Sequence, residues 1–131
     1  MIEYRPSRPD DHAAVRQFLM EVGWQRRVQD VARFEKMMDR ADRTMLALEG
    51  TRIVGFGRAL CDGVSNGYLS MLAVAEDKRG QGIGRELVQR LMADDDDDNV
   101  TWVLRAGRQS AGFWRKLGFK ASDTAMERVR S

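Results

Sequence analysis

The fold of this chain is decided by the stretch Val74-Ala75-Glu76-Asp77-Lys78-Arg79-Gly80-Gln81-Gly82-Ile83-Gly84, where an apolar segment gives way to an amphipathic one. The apolar run 68–74 before it has the length of a buried strand. The residues after it recur at the spacing of one helix face, and they are Ile83, Leu87, Val88, Leu91 and Met92. Three glycines therefore lie where a predicted strand turns into a predicted helix.

A glycine-rich turn at the start of a helix is suited to binding an anion. Its backbone N–H groups have no intrahelical acceptor, and the helix dipole adds partial positive charge. Phosphate is the usual ligand of such a turn, and glycine lets its oxygens approach the amides. Arg79 and Arg85 flank the turn and can add charge-assisted contacts. The turn is predicted to bind a phosphorylated cofactor.

The spacing of the glycines narrows the choice of cofactor. A dinucleotide motif, Gly-x-Gly-x-x-Gly, would need a glycine where Arg85 stands, and a P-loop would end in Gly-Lys-Ser/Thr. The form Arg79-x-x-Gly82-x-Gly84 instead resembles the pyrophosphate-binding signature of the GNAT superfamily of acyl-CoA-dependent N-acetyltransferases. Downstream, Gly112-Phe113-Trp114-Arg115-Lys116-Leu117-Gly118-Phe119 resembles the C-terminal helix of that superfamily, whose usual ending is Phe-Tyr-x-x-Leu-Gly-Phe. The two segments occur in the order found in the family.

The bulk composition favours one globular domain. At 131 residues, 43% of them apolar, the chain is long enough for one core and too short for two, so residues 1–131 are expected to form a single domain. The resemblance implies that this is a GNAT acetyltransferase domain. A formal net charge of +2 without a basic helix face argues against a nucleic-acid partner. No apolar run has the form of a signal peptide or membrane span, and a single cysteine suits a reducing compartment. A cytoplasmic protein without a membrane partner is expected.

The order of predicted elements is β-α-α-β-β-β-α-β-α-β. Strands are predicted at 2–5, 45–48, 52–61, 68–74, 101–104 and, as a last edge strand, 126–129. Helices are predicted around 15–22, 31–41, 83–92 and 111–117. The resemblance implies an α/β GNAT acyl-CoA N-acyltransferase fold, with a mixed, mostly antiparallel sheet, flanking helices and splayed central strands. Pairing of the last strand with a second copy would give a homodimer.

The resemblance also implies acetyl-CoA (coenzyme A) as the acetyl donor and a primary amine of a small molecule or peptide as the acceptor. It places the pantetheine arm along the backbones of Leu72 and Val74, where a free N–H can polarise the thioester carbonyl. The pyrophosphate would lie on the glycine turn. The full set of implied cofactor residues is Leu72, Val74, Arg79, Gly80, Gln81, Gly82, Ile83, Gly84, Arg85 and Trp114.

The acceptor amine must lose a proton before it attacks, since a lysine-like amine has a pKa of about 10.4. The predicted fourth strand carries no acid. Tyr68 and Glu49 are the catalytic candidates, with Asp62 and a chain of water molecules as alternatives. Trp24, between the first two helices, either contacts the acceptor or caps the core. No metal site is expected, because His12 lacks a second strong ligand nearby in the sequence.

Trp114 is the main departure from the family pattern, because most relatives have there a tyrosine that protonates the departing thiolate. An indole N–H can donate a hydrogen bond but cannot give its proton away. A thiol of pKa about 8.5 still leaves reasonably well as an anion. We therefore expect a working but slow acetyltransferase. The alternatives are a buried core aromatic at Trp114 and, for the whole chain, a catalytically weak acyl-CoA-binding or partner-regulating GNAT-like module.

Overall fold

The computed structural model describes residues 1–93, 99–107 and 110–130. The strands are β1 (Ile2–Arg5), β2 (Arg43–Glu49), β3 (Arg52–Cys61), β4 (Asn66–Val74) and β5 (Thr101–Leu104). The helices are α1 (His12–Glu21), α2 (Gln25–Val28), α3 (Val31–Asp39), α4 (Ile83–Met92) and α5 (Ala111–Lys116), with 3₁₀ turns at Pro9–Asp11 and Glu76–Lys78. None of the helices in these ranges has the length and apolar character needed to cross a membrane.

The five strands form one sheet in the order β1-β2-β3-β4-β5. The first four are antiparallel neighbours, and β5 runs parallel to β4. Gly57 of β3 lies against α4, whereas the next side chain, Arg58, reaches the backbone of Met37 in α3. Because successive side chains on a strand point to opposite faces, helices cover both faces of the sheet. This arrangement confirms the mixed, mostly antiparallel sheet that the resemblance implies.

The centre of the sheet opens within β4. On the β3 side, Arg58 is opposite Met71 and Ala59 is opposite Leu69, so Ser70 is an extra residue that forms a β-bulge. On the other side, β5 pairs with β4 only from Asn66 to Leu69. The two parallel strands therefore separate where the bulge begins, which confirms the expected splay of the central strands.

Helix α4 packs closely on the sheet because the strand beneath it carries glycine. Leu87 and Leu91 are buried, at 0% and 1% exposure, over Gly55 and Gly57. A Cβ atom at Gly57 would lie 2.6 Å from Cδ1 of Leu91, well inside van der Waals contact. The absence of side chains at these two positions thus sets the height of α4, and with it the position of the turn that precedes the helix.

Two sequence-based predictions need correction. The predicted edge strand at 126–129 is wrong, since the structure assigns no strand there and Met126 and Val129 are 96% and 58% exposed. Apolar residues three apart would point to opposite faces of a strand, so neither face would be buried. The predicted homodimer relied on pairing of this last strand with a second copy, so the structure gives no support for it. The segment between the first two predicted helices, for which no element is predicted, contains the short helix α2.

We expect Leu87→Ala to lower the free energy of unfolding by about 2–5 kcal/mol, because it leaves a cavity between α4 and the sheet. Urea unfolding followed by circular dichroism measures the loss. Leu60→Ala is the control, since Leu60 is 37% exposed on the same sheet and its truncation should cost much less. Equal losses in the two variants would contradict the packing described for α4.

Candidate functional site

The glycine turn presents unbonded amides at the start of α4. The first bond of the helix runs from Glu86 N–H to the carbonyl oxygen of Gly82, at 3.0 Å. The N–H groups of Ile83, Gly84 and Arg85 consequently have no acceptor within the helix. Since α4 is ten residues long, its dipole adds partial positive charge at the same end.

The three positions of the turn require glycine for different structural reasons. Gly80 and Gly82 have φ angles of +80° and +84°, in the left-handed region that strains other residues. Gly84 has no such angle, but a Cβ there would lie 3.2 Å from the ring of Phe113, so glycine lets α4 approach α5. No heavy atom lies within 4 Å of a Cβ built at Gly80 or Gly82, which leaves the turn open to a ligand.

A cleft of about 730 Å³ runs along this turn, and we name it the turn cleft. Its lining includes Leu72, Val74, Arg79, Gly82, Gly84 and Arg85. A second cleft of about 880 Å³ lies where β4 and β5 separate, and we name it the fork cleft. Its lining includes Trp24, Arg27, Tyr68, Ser70, Arg105 and Trp114. Trp24, Leu72 and Phe113 line both clefts, so a ligand in one can reach the other.

The backbone of β4 is open between the two clefts. Ala75 donates its N–H to the carbonyl oxygen of Val54, at 2.9 Å, on the β3 side. Because backbone groups alternate sides along a strand, the N–H groups of Leu72 and Val74 point away from β3. The pairing with β5 ends at Leu69, so no strand among the described residues bonds to these two groups. An extended ligand can bond there as an added strand.

Most of the predicted cofactor residues lie together. Leu72, Val74, Arg79, Gly80, Gly82, Ile83, Gly84 and Arg85 all line the turn cleft. Gln81 is exposed and is not part of the lining. The structure places Tyr68 and Trp114 in the fork cleft, and it places Trp24 in both clefts.

The acidic candidates lie elsewhere. Glu49 lines neither cleft, and its carboxylate accepts a hydrogen bond from Lys78 Nζ at 2.7 Å. That hydrogen bond holds the pKa of Glu49 below its usual value, which makes the carboxylate a weaker base. Asp62 accepts hydrogen bonds from Ser65 and from neighbouring backbone N–H groups, which lower its pKa and hold it in the turn before β4.

Trp114 fits both of the interpretations that the sequence left open. Its side chain is 9% exposed, and its ring meets those of Phe113 and Phe119 edge-on at centroid distances of 4.9 and 5.5 Å. The remaining exposed surface lines the fork cleft. Trp114 is therefore a core aromatic with one side on the candidate site.

Three residues near the clefts were not singled out from the sequence. Lys78 lines the turn cleft, Ser70 lines the fork cleft, and Arg58 donates to Ser70 Oγ from beneath, at 2.8 Å. Arg58 had a recognisable signal, because it is the one charged residue in the apolar run 53–60. Ser70 had none, since a bulge cannot be read from strand periodicity.

His12 has a nearby acidic partner that the sequence did not suggest. Its Nδ1 lies 2.5 Å from Glu35 Oε2 in α3, and Asp39 is one turn further along that helix. The sequence argument considered only residues near His12 along the chain, whereas Glu35 and Asp39 reach it from another helix. The group lies apart from both clefts, and the His12–Glu35 contact ties α1 to α3. The expectation of no metal stays a prediction.

The comparisons with known proteins agree with this geometry. Residues 13–129 match the family model described as an acetyltransferase (GNAT) domain. The chain belongs to the GNAT acetyltransferase family. It is 30% identical over 121 residues to a chloroplastic serotonin N-acetyltransferase 2 of Oryza sativa subsp. japonica, covering 88% of this chain and 60% of that protein's length.

Solved structures share the fold over the whole chain. A GNAT-family acetyltransferase from Streptococcus pneumoniae TIGR4 superposes with a TM-score of 0.77 at 24% identity, covering 99% of this chain and 98% of that one. A probable acetyltransferase of unknown function from meticillin-resistant Staphylococcus aureus gives a TM-score of 0.80 at 19% identity, covering 100% of both chains. At these identities the likeness concerns the fold alone.

Proposed function

We propose that this chain transfers the acetyl group of acetyl-CoA to a primary amine of a small molecule or peptide. The observation that carries the proposal is the open edge of β4 at Leu72 and Val74, which joins an anion-binding turn to a second cleft. Family membership supports acetyl transfer. The rice relative's name states N-acetylation of serotonin, which is a primary amine.

The turn cleft has the chemistry needed to hold coenzyme A. The free amides of Ile83, Gly84 and Arg85 would bind the pyrophosphate, with the guanidinium groups of Arg79 and Arg85 beside them. The backbones of Leu72 and Val74 would bond the pantetheine arm along the open edge. Acetyl-CoA supplies the activated acetyl group as a thioester. An N–H of Leu72 or Val74 would polarise its carbonyl.

The acceptor would enter from the fork cleft. Tyr68 lines this cleft, so we assign its hydroxyl the role of relaying the amine proton to water: the oxygen accepts the proton while the hydrogen of the hydroxyl passes to a water molecule. Glu49 takes no part in this proposal, because it lines neither cleft and its carboxylate is bonded to Lys78. Trp24 would contact the acceptor. Residues 1–131 would act as one GNAT domain, and the single cysteine favours the reducing cytoplasm as the place of the reaction.

Calorimetry with acetyl-CoA and with free CoA tests the turn cleft. We expect binding by the parent protein and an affinity at least about tenfold lower for Gly82→Asp, because the added carboxylate faces the pyrophosphate. Gly82→Asn is the matched control, since Asn has the same size and also tolerates a positive φ. The absence of heat with both ligands in the parent protein would contradict the proposal, and so would equal affinities of the two variants.

Release of free thiol from acetyl-CoA in the presence of amines tests the transfer itself. Polyamines, arylalkylamines, aminoglycosides and short peptides form the panel, and we expect release with at least one class. CoA binding without release on every acceptor would support the second candidate, a catalytically weak acyl-CoA-binding module. Trp114 favours that candidate, because it stands where the family usually has an acid.

We expect Trp114→Tyr to raise kcat by up to about a hundredfold, because a phenol can protonate the departing thiolate and a general acid contributes at least that much in many enzymes. The affinity for acetyl-CoA should stay unchanged. Trp114→Phe is the control for altered packing against Phe113 and Phe119, since it adds no acid. A fall in kcat for both variants would show that thiolate protonation does not limit the rate.

A further inference from the structure

The fork cleft is lined by more positive charge than negative. Among the described residues of its lining, the charged side chains are Arg27, Arg79, Arg105 and Glu127. Arg105 Nε and Glu127 Oε2 form an ion pair at 2.9 Å, so the one carboxylate is already engaged. Arg79 belongs to the turn cleft as well. Arg27 remains as a charge that faces the acceptor side of the cleft.

Arg27 has no carboxylate within ion-pair distance in the described part of the chain. Its guanidinium lies over the Trp24 ring, 5.6 Å from the centroid. Arg27 is exposed overall, but partial desolvation in the cleft and the nearby charges of Arg130 and Arg105 lower its pKa, whereas Tyr68 acts in the opposite sense. The guanidinium is therefore crowded by like charge and lacks a balancing anion.

Arg58 brings a second positive charge to the same cleft, which it reaches through its hydrogen bond to Ser70. It is 7% exposed, and it donates to the Met37 carbonyl oxygen at 3.1 Å and to Ser70 Oγ at 2.8 Å. No carboxylate of the described residues forms an ion pair with it. Asp42 is near enough to act on the charge of Arg58 and to raise its pKa, although burial and Arg27 lower it. A buried charge without a directly bonded counter-charge is costly, and an anion in the cleft would offset part of that cost.

Ser70 links this buried charge to the cleft. Its Oγ accepts a hydrogen bond from Arg58, so its own hydrogen remains available as a donor. Ser70 is the extra residue of the β4 bulge and lines the fork cleft. The cleft therefore offers an anion one guanidinium on its wall and one hydroxyl polarised by a second guanidinium.

We propose that the acceptor is an amino acid whose carboxylate binds between Arg27 and Ser70 in the fork cleft. This inference rests on the proposed acetyl transfer and names its substrate class. An amine without an anionic group would bring a positive charge to a positive cleft. The proposed acceptor differs in this respect from serotonin, the amine in the rice relative's name.

The same charges assist the chemistry. Nearby guanidinium groups favour the neutral form of an ammonium group, and the neutral amine is the nucleophile. In the transfer, the amine nitrogen forms a C–N bond with the acetyl carbon while the C–S bond breaks. The thiolate keeps the electron pair of that bond, and the amine proton leaves to water. The cleft thus favours the neutral amine, although the one carboxylate among the described residues of its lining, Glu127, is paired with Arg105.

Matched pairs of acceptors that differ only in an anionic group test the proposal. Tryptophan with tryptamine and tyrosine with tyramine suit the aromatic lining by Trp24, Phe113 and Trp114. We expect kcat/KM at least about tenfold higher for the amino acid of each pair, as a charge-assisted hydrogen bond provides. A third pair, O-phosphoethanolamine and ethanolamine, tests whether a phosphate group can take the place of the carboxylate in the cleft. A preference for the amines, or for the phosphate alone, would overturn the proposal.

Single substitutions test whether Arg27 and Ser70 cause the preference for amino-acid acceptors. Arg27→Gln should raise KM for tryptophan about ten- to a hundredfold and leave KM for tryptamine unchanged or lower. Ser70→Ala should raise KM for tryptophan by a smaller factor. Arg26→Gln is the matched control, because Arg26 is exposed on the same short helix and lines neither cleft. An equal effect of Arg27→Gln on both acceptors would contradict carboxylate binding.

Binding separates this inference from the proposed function. Calorimetry on CoA-saturated protein compares tryptophan with tryptamine without any turnover. Tighter binding of tryptophan that is lost in Arg27→Gln supports the carboxylate site, even if no acceptor is acetylated. Turnover of simple amines together with weaker binding of tryptophan would leave acetyl transfer standing and overturn the amino-acid acceptor.

Discussion

The site depends on one interruption in backbone hydrogen bonding, where β4 loses β5 as a neighbour after Leu69. The Ser70 bulge on the opposite edge begins at the same point. Unpaired backbone groups inside a protein are costly, so a sheet that leaves them open at its centre needs a partner for them. That constraint favours the extended ligand proposed along Leu72 and Val74. The same interruption separates β4 from β5 at the fork cleft.

Helix α4 contributes both to the hydrophobic core and to the candidate binding site. The buried face of this helix, through Leu87 and Leu91, closes the core over Gly55 and Gly57. The start of the same helix carries the free amides of the glycine turn. Because a helix moves as a unit, the packing that fixes its height on the sheet also fixes the position of those amides. Helix α5 packs closely on α4 at Gly84, so the position of α4 also fixes α5 and its residue Trp114.

Two arginines near the fork cleft differ in their partners from two arginines elsewhere in the structure. On the surface, Arg5 with Asp11 and Arg52 with Asp77 form two-bond pairs with carboxylates. Near the fork cleft, Arg27 and Arg58 have no such partner among the described residues, although Arg58 is buried. A charge that serves only the fold is normally paired when it is buried. The carboxylate proposed for the fork cleft would supply Arg27 with a directly bonded anion and would reach Arg58 through the hydroxyl of Ser70.

The sequence by itself determined the strand-turn-helix around 74–84, the helix with Trp114, the family and nearly all element positions, because periodicity and glycine conformation act over a few neighbouring residues. It did not determine which polar groups reach the site. Glu49 was a candidate yet bonds to Lys78, the tail at 126–129 forms no strand, and His12 meets Glu35 across two helices. Only the tertiary structure decided these three outcomes. Strand register and the bulge bring side chains together that are distant along the chain. A register slip of one residue would move a side chain to the other face of the sheet.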